Sequence, residues 1–149
     1  MRYVSLVDLG SNSARLVVYE LDPGKGFRLL DEIREVIQLG AGIARNSELS
    51  DDAIARALAA VRTFSDFACA ASLPKPRIMA TSAVRSAANR DALLCSVREM
   101  GFEIEVLSGE VEAAQGVLAA ANSFALNDAW VVDLGGGSMQ VSEMRNRVC

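Results

Sequence analysis

One short segment of this chain occurs twice, and the recurrence constrains the fold more than any other feature. Leu6-Val7-Asp8-Leu9-Gly10-Ser11-Asn12-Ser13 matches Val131-Val132-Asp133-Leu134-Gly135-Gly136-Gly137-Ser138, 125 residues further on. The Asp, Leu, Gly and Ser positions are identical in register. Each copy lies between runs rich in strand-forming residues, Tyr3–Val7 and Leu16–Tyr19 around the first, Trp130–Val132 and Val141 around the second. Each therefore reads as strand, tight turn, strand. A strand that ends in Asp before a Gly-rich turn puts a carboxylate beside free backbone N–H groups. That combination suits phosphate oxygens together with a hard cation. A single copy could be an ordinary hairpin turn that needs glycine. Two copies with matched aspartates favour a ligand site gripped from both sides.

Between the copies, the pattern alternates strand and helix. Pro23-Gly24-Lys25-Gly26 marks a loop, and the run after it predicts a third strand with Phe27, Leu29, Ile33 and Ile37 on one side. Ser50 is placed to cap a helix whose first turn holds Asp51 and Asp52. Ile54, Leu58, Val61, Phe64 and Ala68 carry that helix to about Ser72, where Pro74 and Pro76 end it. Arg77–Thr81 predicts a short buried strand, and Asn89–Met100 a helix closed by Gly101. Glu103–Leu107 predicts another strand, and an Ala-rich helix runs from Ser108 to about Ser123. The order βββαβαβα predicts an α/β domain with a mixed sheet and helices on both faces, its first three strands an antiparallel meander. Cys69 and Cys95 are expected in the core of their helices.

Composition removes several classes of chemistry. Hydrophobic residues make up 51% and charged residues 23%, the balance of a globular domain. Net charge is −4, with no basic block suited to a nucleic-acid backbone, so sequence-specific nucleic-acid binding is not expected. The 149 residues contain no histidine and only three separated cysteines, Cys69, Cys95 and Cys149. Zinc sites of the Cys/His kind and His-activated nucleophiles are therefore excluded, and acid–base work falls to Asp and Glu. No apolar run reaches the roughly 18–20 residues of a membrane span, and the start enters a strand at once rather than a leader. A reduced, cytoplasmic protein without membrane attachment is the expectation.

The motifs resemble those of the exopolyphosphatase/guanosine-pentaphosphate phosphohydrolase family, an actin-like group. Asp8–Ser13 is similar to the family's first phosphate motif and Asp133–Ser138 to its second. Ala80-Thr81-Ser82-Ala83-Val84-Arg85-Ser86-Ala87 resembles its Thr-rich, Arg-bearing segment, and Leu107-Ser108-Gly109-Glu110-Val111-Glu112-Ala113 its Ser-Gly-x-x-Glu-Ala segment. The resemblance implies an RNase H-like unit on each side of a cleft, and hydrolysis of terminal phosphoanhydrides of polyphosphate or guanosine pentaphosphate with Mg²⁺. It implies that Asp8 and Asp133 serve the metal and the attacking water. Gly10, Ser11, Asn12, Ser13, Gly135, Gly136, Gly137 and Ser138 would cradle phosphates, Arg85 would hold one, and Glu112 would be the general base. Residues 1–125 would form the first unit and 126–149 the opening strands of a second. The second motif is followed by far less chain than the first, so a truncated second unit is expected, with little activity on its own. Its strands would dock on their own domain, pair with a second copy as a homo-oligomer, or lack order. A non-catalytic module binding polyphosphate or phosphorylated guanosine nucleotide is the alternative function. The two substrates are not separable on sequence.

Overall fold

A computed structural model describes residues 2–148, so Cys149 lies outside it. Strands β1 (Arg2–Leu9), β2 (Ser13–Asp22) and β3 (Gly26–Val36) form an antiparallel meander. Strand β4 (Arg77–Ala80) pairs parallel with β1, and β5 (Ile104–Val106) parallel with β4. The five strands lie in the order β3-β2-β1-β4-β5, a mixed sheet as the alternating pattern requires. Parallel neighbours need a crossover, and two helices provide it. Helix α2 (Asp51–Ala70) joins β3 to β4, and α4 (Arg90–Glu99) joins β4 to β5. Short helical turns at Leu39–Ala41, α1 (Ile43–Asn46) and α3 (Ser82–Ser86) fill the loops. After β5, helix α5 (Gly109–Ser123) leads into a hairpin of β6 (Ala129–Leu134) and β7 (Met139–Met144).

Period-two alternation sends Val7, Leu9, Leu16, Val18, Ile78 and Ala80 to one face of the sheet, all buried. Against them α2 sets Ala53, Ala57, Ala60, Val61 and Phe64, and α4 sets Leu93 and Val97. Alanines on α2 let that helix approach the strands closely while Phe64 fills the centre. The expected caps are present. Ser50 Oγ accepts from Ala53 N at 3.2 Å, and Ser108 Oγ from Val111 N at 3.2 Å. Gly101 takes φ +84°, and its N–H bonds Arg98 O at 2.8 Å while Phe102 N bonds Val97 O at 3.1 Å. That left-handed residue ends α4 in a Schellman motif.

Three expectations are corrected. Phe27 and Leu29 do not share a face with Ile33, because Leu30 is a bulge between the pairs Leu29↔Tyr19 and Asp31↔Val18. One extra residue flips every side chain before it, so Phe27 lies edge-on to Tyr19, ring centroids 5.5 Å apart, on the open face. Cys69 and Cys95 are exposed rather than buried. Cys69 lies about 100° round the helix from Ala68, just past the buried stripe, and Cys95 faces away from Leu93 and Val97. Finally, helices close-pack only one face of the sheet. Helix α5 makes its contacts with β6 and β7, burying Val117, Ala121 and Met144 in a second, smaller core. Arg147 completes that unit by donating to the carbonyls of Ala121, Phe124 and Leu126 at the end of α5.

Candidate active site

The two sequence copies adopt one backbone arrangement. In the first, Asp8 pairs with Arg15 across β1–β2, and Gly10 N donates to Ser13 O at 3.1 Å. In the second, Asp133 pairs with Gln140 across β6–β7, and Gly135 N donates to Ser138 O at 2.8 Å. Strand register and turn hydrogen bond are thus the same in both. The first turn is tied down through its carbonyls, since Gly40 N donates to Ser11 O at 2.8 Å, and Ile37 N and Gln38 N donate to Asn12 O. Its N–H groups at Ser11 and Asn12 meet no protein acceptor among the described residues, and the same holds for Gly136 and Gly137. Those donors are available to an anion.

The turns touch. Ser11 and Ser82, both buried, share a hydrogen bond between their hydroxyls at 2.9 Å. Gly137 lies directly against that pair. A Cβ there would sit 2.7 Å from Ser11 Oγ and 3.2 Å from Ser82 Oγ, and one at Gly136 would meet Asn12 Cβ at 3.4 Å. Close approach is what requires glycine at position 137.

A cleft of about 750 Å³ opens between the uncovered face of the sheet, α5 and the two turns. Asp8, Glu112 and Asp133 all line it. Gly116, one turn of α5 beyond Glu112, is where the helix runs beside Asp133, with a Cβ position 3.9 Å from Asp133 Oδ2. Asp8 reaches solvent along the cleft, yet protein on its flanks displaces much of its water. That desolvation raises its pKa above the ordinary carboxylate value, Glu112 and Asp133 adding to the rise and Arg15 opposing it.

A raised folded-state pKa means the folded chain binds the Asp8 proton more tightly than the unfolded chain. Asp8 therefore costs stability as pH rises from the unfolded value, about 3.9, through its higher folded value. Without added ligands, Asp8→Asn is expected to raise Tm at pH 7 and to lose that advantage below pH 4. A melting series in which the variant is equally or less stable at pH 7 would contradict this account of Asp8.

Glu112 lies in the first turn of α5, half-buried, with Oε2 3.0 Å from Arg85 Nη1. Glu110, two residues earlier, is exposed and does not line the cleft. Gly10, Ser11, Asn12, Ser13, Gly135, Gly136 and Ser138 all line it, whereas Gly137 rests against Ser11 and Ser82, and Arg85 is bonded to Glu112 without lining the cleft itself. Arg15, Arg34, Ser82 and Gln115 also line the cleft and were not singled out in the sequence. Arg34 Nε donates to Ser13 Oγ at 3.1 Å, bracing the turn from β3. Arg15 was findable, because a tight turn after Asp8 sets it opposite that aspartate.

Among the described residues no three Asp, Glu, His or Cys side chains are clustered to chelate a metal by themselves. The donor set fits a different kind of cation. Mg²⁺ takes one or two carboxylates and completes its shell with waters and substrate phosphates. Asp8 and Asp133, on a cleft whose turn N–H groups meet no protein acceptor among the described residues, match that description.

A meander extended by parallel strands, followed by a second Asp–Gly hairpin that meets the first, defines an actin-like α/β protein. The chain belongs to the Ppx/GppA phosphatase family, whose model matches residues 17–148. It is 32% identical over 139 residues to a guanosine-5'-triphosphate,3'-diphosphate pyrophosphatase of Photobacterium profundum, and 29% identical over 137 residues to one of Pseudoalteromonas atlantica. Each alignment covers 91% of this chain and 27% of the relative, so the chain spans about a quarter of their length. Among solved structures, an exopolyphosphatase-like protein superposes with TM-score 0.87 at 32% identity, covering 97% of this chain and 46% of that one. The Aquifex aeolicus PPX-GPPA enzyme superposes with TM-score 0.85 at 28% identity, covering 98% and 49%. The family model's match begins at residue 17, after the first turn. No helix among the described residues is long and apolar enough to cross a membrane.

Proposed function

We propose that this chain supplies the phosphate-gripping cleft of a phosphoanhydride hydrolase that releases terminal phosphate from inorganic polyphosphate or guanosine pentaphosphate. The observation that carries this reading is the meeting of two matched turns, each with unpaired N–H groups, beside Asp8, Glu112 and Asp133. The N–H groups of Ser11, Asn12, Gly136 and Gly137 would bind phosphoryl oxygens, with the Ser13 and Ser138 hydroxyls adding donors. Asp8 and Asp133 would hold Mg²⁺, which when bound supplies charge neutralisation at the phosphoryl oxygens. Glu112 would accept a proton from the attacking water. Residues 1–125 and 126–149 are read as belonging to successive α/β units, with β6 and β7 opening the second. The exposed thiols of Cys69 and Cys95 suit a reducing cytoplasm.

Phosphate release with Mg²⁺ tests the proposal, using polyphosphate, guanosine pentaphosphate and ATP. The protein extended through its second domain is expected to prefer one of the first two, and the present chain alone to release little. Binding without release would favour a recognition module, and preference for ATP would overturn the substrate class.

A further inference from the structure

We infer that Arg85 is a positioning residue for Glu112 rather than a phosphate ligand. The inference rests on the hydrolase reading above. The family resemblance implies a phosphate-holding arginine at this position, but the geometry commits Nη1 of its guanidinium to Glu112 and a backbone carbonyl. Arg85 Nη1 donates to Leu107 O at 2.6 Å and to Glu112 Oε2 at 3.0 Å. Its side chain is 27% exposed and that of Glu112 16%. Arg85 does not line the cleft, whereas Glu112 does.

The anchoring is mutual. Arg85 leaves the last turn of α3, directly after β4. Leu107, which follows β5, donates its own N–H to Ala80 O at 2.9 Å, and it precedes Ser108, the cap of α5. The guanidinium therefore links the end of β4, the end of β5 and the first turn of α5. A planar guanidinium held by a carbonyl is a rigid donor. It fixes Oε2 of Glu112 and leaves Oε1 as the oxygen that can face a water in the cleft. A carboxylate that must meet a water at hydrogen-bond distance loses rate steeply when displaced, about 10²-fold for 1 Å. Without Arg85 the glutamate keeps its backbone position but not its side-chain direction.

In the protein extended through its second domain, Arg85→Met is expected to lower kcat by about 10–100-fold while KM for polyphosphate moves less than about threefold. Arg85→Lys should restore only part of kcat, since an ammonium lacks the planar fork. In a Glu112→Gln background, Arg85→Met should cause no further loss, because it acts only through Glu112. A KM increase of tenfold with kcat retained, or full multiplication of the two losses, would make Arg85 a phosphate ligand and overturn the inference. No phosphate release by the extended protein before substitution would instead remove the hydrolase reading. Retention of polyphosphate by the present chain then decides, with Arg85→Met unchanged supporting positioning and a tenfold loss overturning it.

Discussion

Replacing Glu112 by glutamine is expected to cut phosphate release by about 10²–10⁴-fold with little change in KM, the usual contribution of a positioned general base. Glutamine keeps the size of the side chain and can still accept from Arg85 through its amide oxygen, so the fold is preserved. What it loses is the capacity to take a proton from water. Glu110→Gln is the matched control, on the same turn of α5 but exposed and off the cleft. Residues two apart on a helix do not share a face, so the two substitutions test one direction in space each. Steady-state kinetics with polyphosphate and Mg²⁺ on the extended protein make the comparison. A larger loss at Glu110 would reassign the base, and no loss at either would leave water activation to the metal and its aspartates.

The largest effect on stability is expected at Leu9, the neighbour of Asp8 in β1. Leu9 is fully buried on the helix-covered face of the sheet, in a strand flanked by β2 and β4. Leu9→Ala removes apolar atoms from a packed site and leaves a cavity that central strands cannot collapse into. The expected cost is about 2–5 kcal/mol. Against a total of about 5–15 kcal/mol for a domain, that moves the urea midpoint a long way at nearly constant slope. Leu6 is the control on the same strand. It lines the cleft on the opposite face and is only half-buried, so Leu6→Ala should cost less than half as much. Equal losses would mean that the two faces of the sheet are packed alike.

The elements most legible in the sequence were those set by local pattern. Ser50, Ser108 and Gly101 act within one turn of themselves, so their neighbours announce them. The paired turns were legible for a related reason. A two-strand unit fixes its register through its turn, and matched residues reproduced the pairings Asp8↔Arg15 and Asp133↔Gln140. Misreadings arose where one residue changes phase. The Leu30 bulge reversed Phe27 and Leu29, and one step round the helix moved Cys69 out of the core. Contacts between distant segments had no local signal at all. Nothing near Ser11 points to Ser82, and nothing near Arg85 points to Leu107 O, because those partners meet only when β4 and β5 have been placed beside β1.

The second core is small. Val117, Ala121 and Met144 bury fully, with Ala129 and Val131 beside them, and an isolated hairpin contributes little stability of its own. The first turn, by contrast, stands on the main core. The four free turn N–H groups are therefore divided between two packing units, two on the main sheet and two on the hairpin held by α5. Under the hydrolase reading, an anion long enough to touch both turns ties the two units together as it binds, whereas a short one held by the first turn alone bridges nothing.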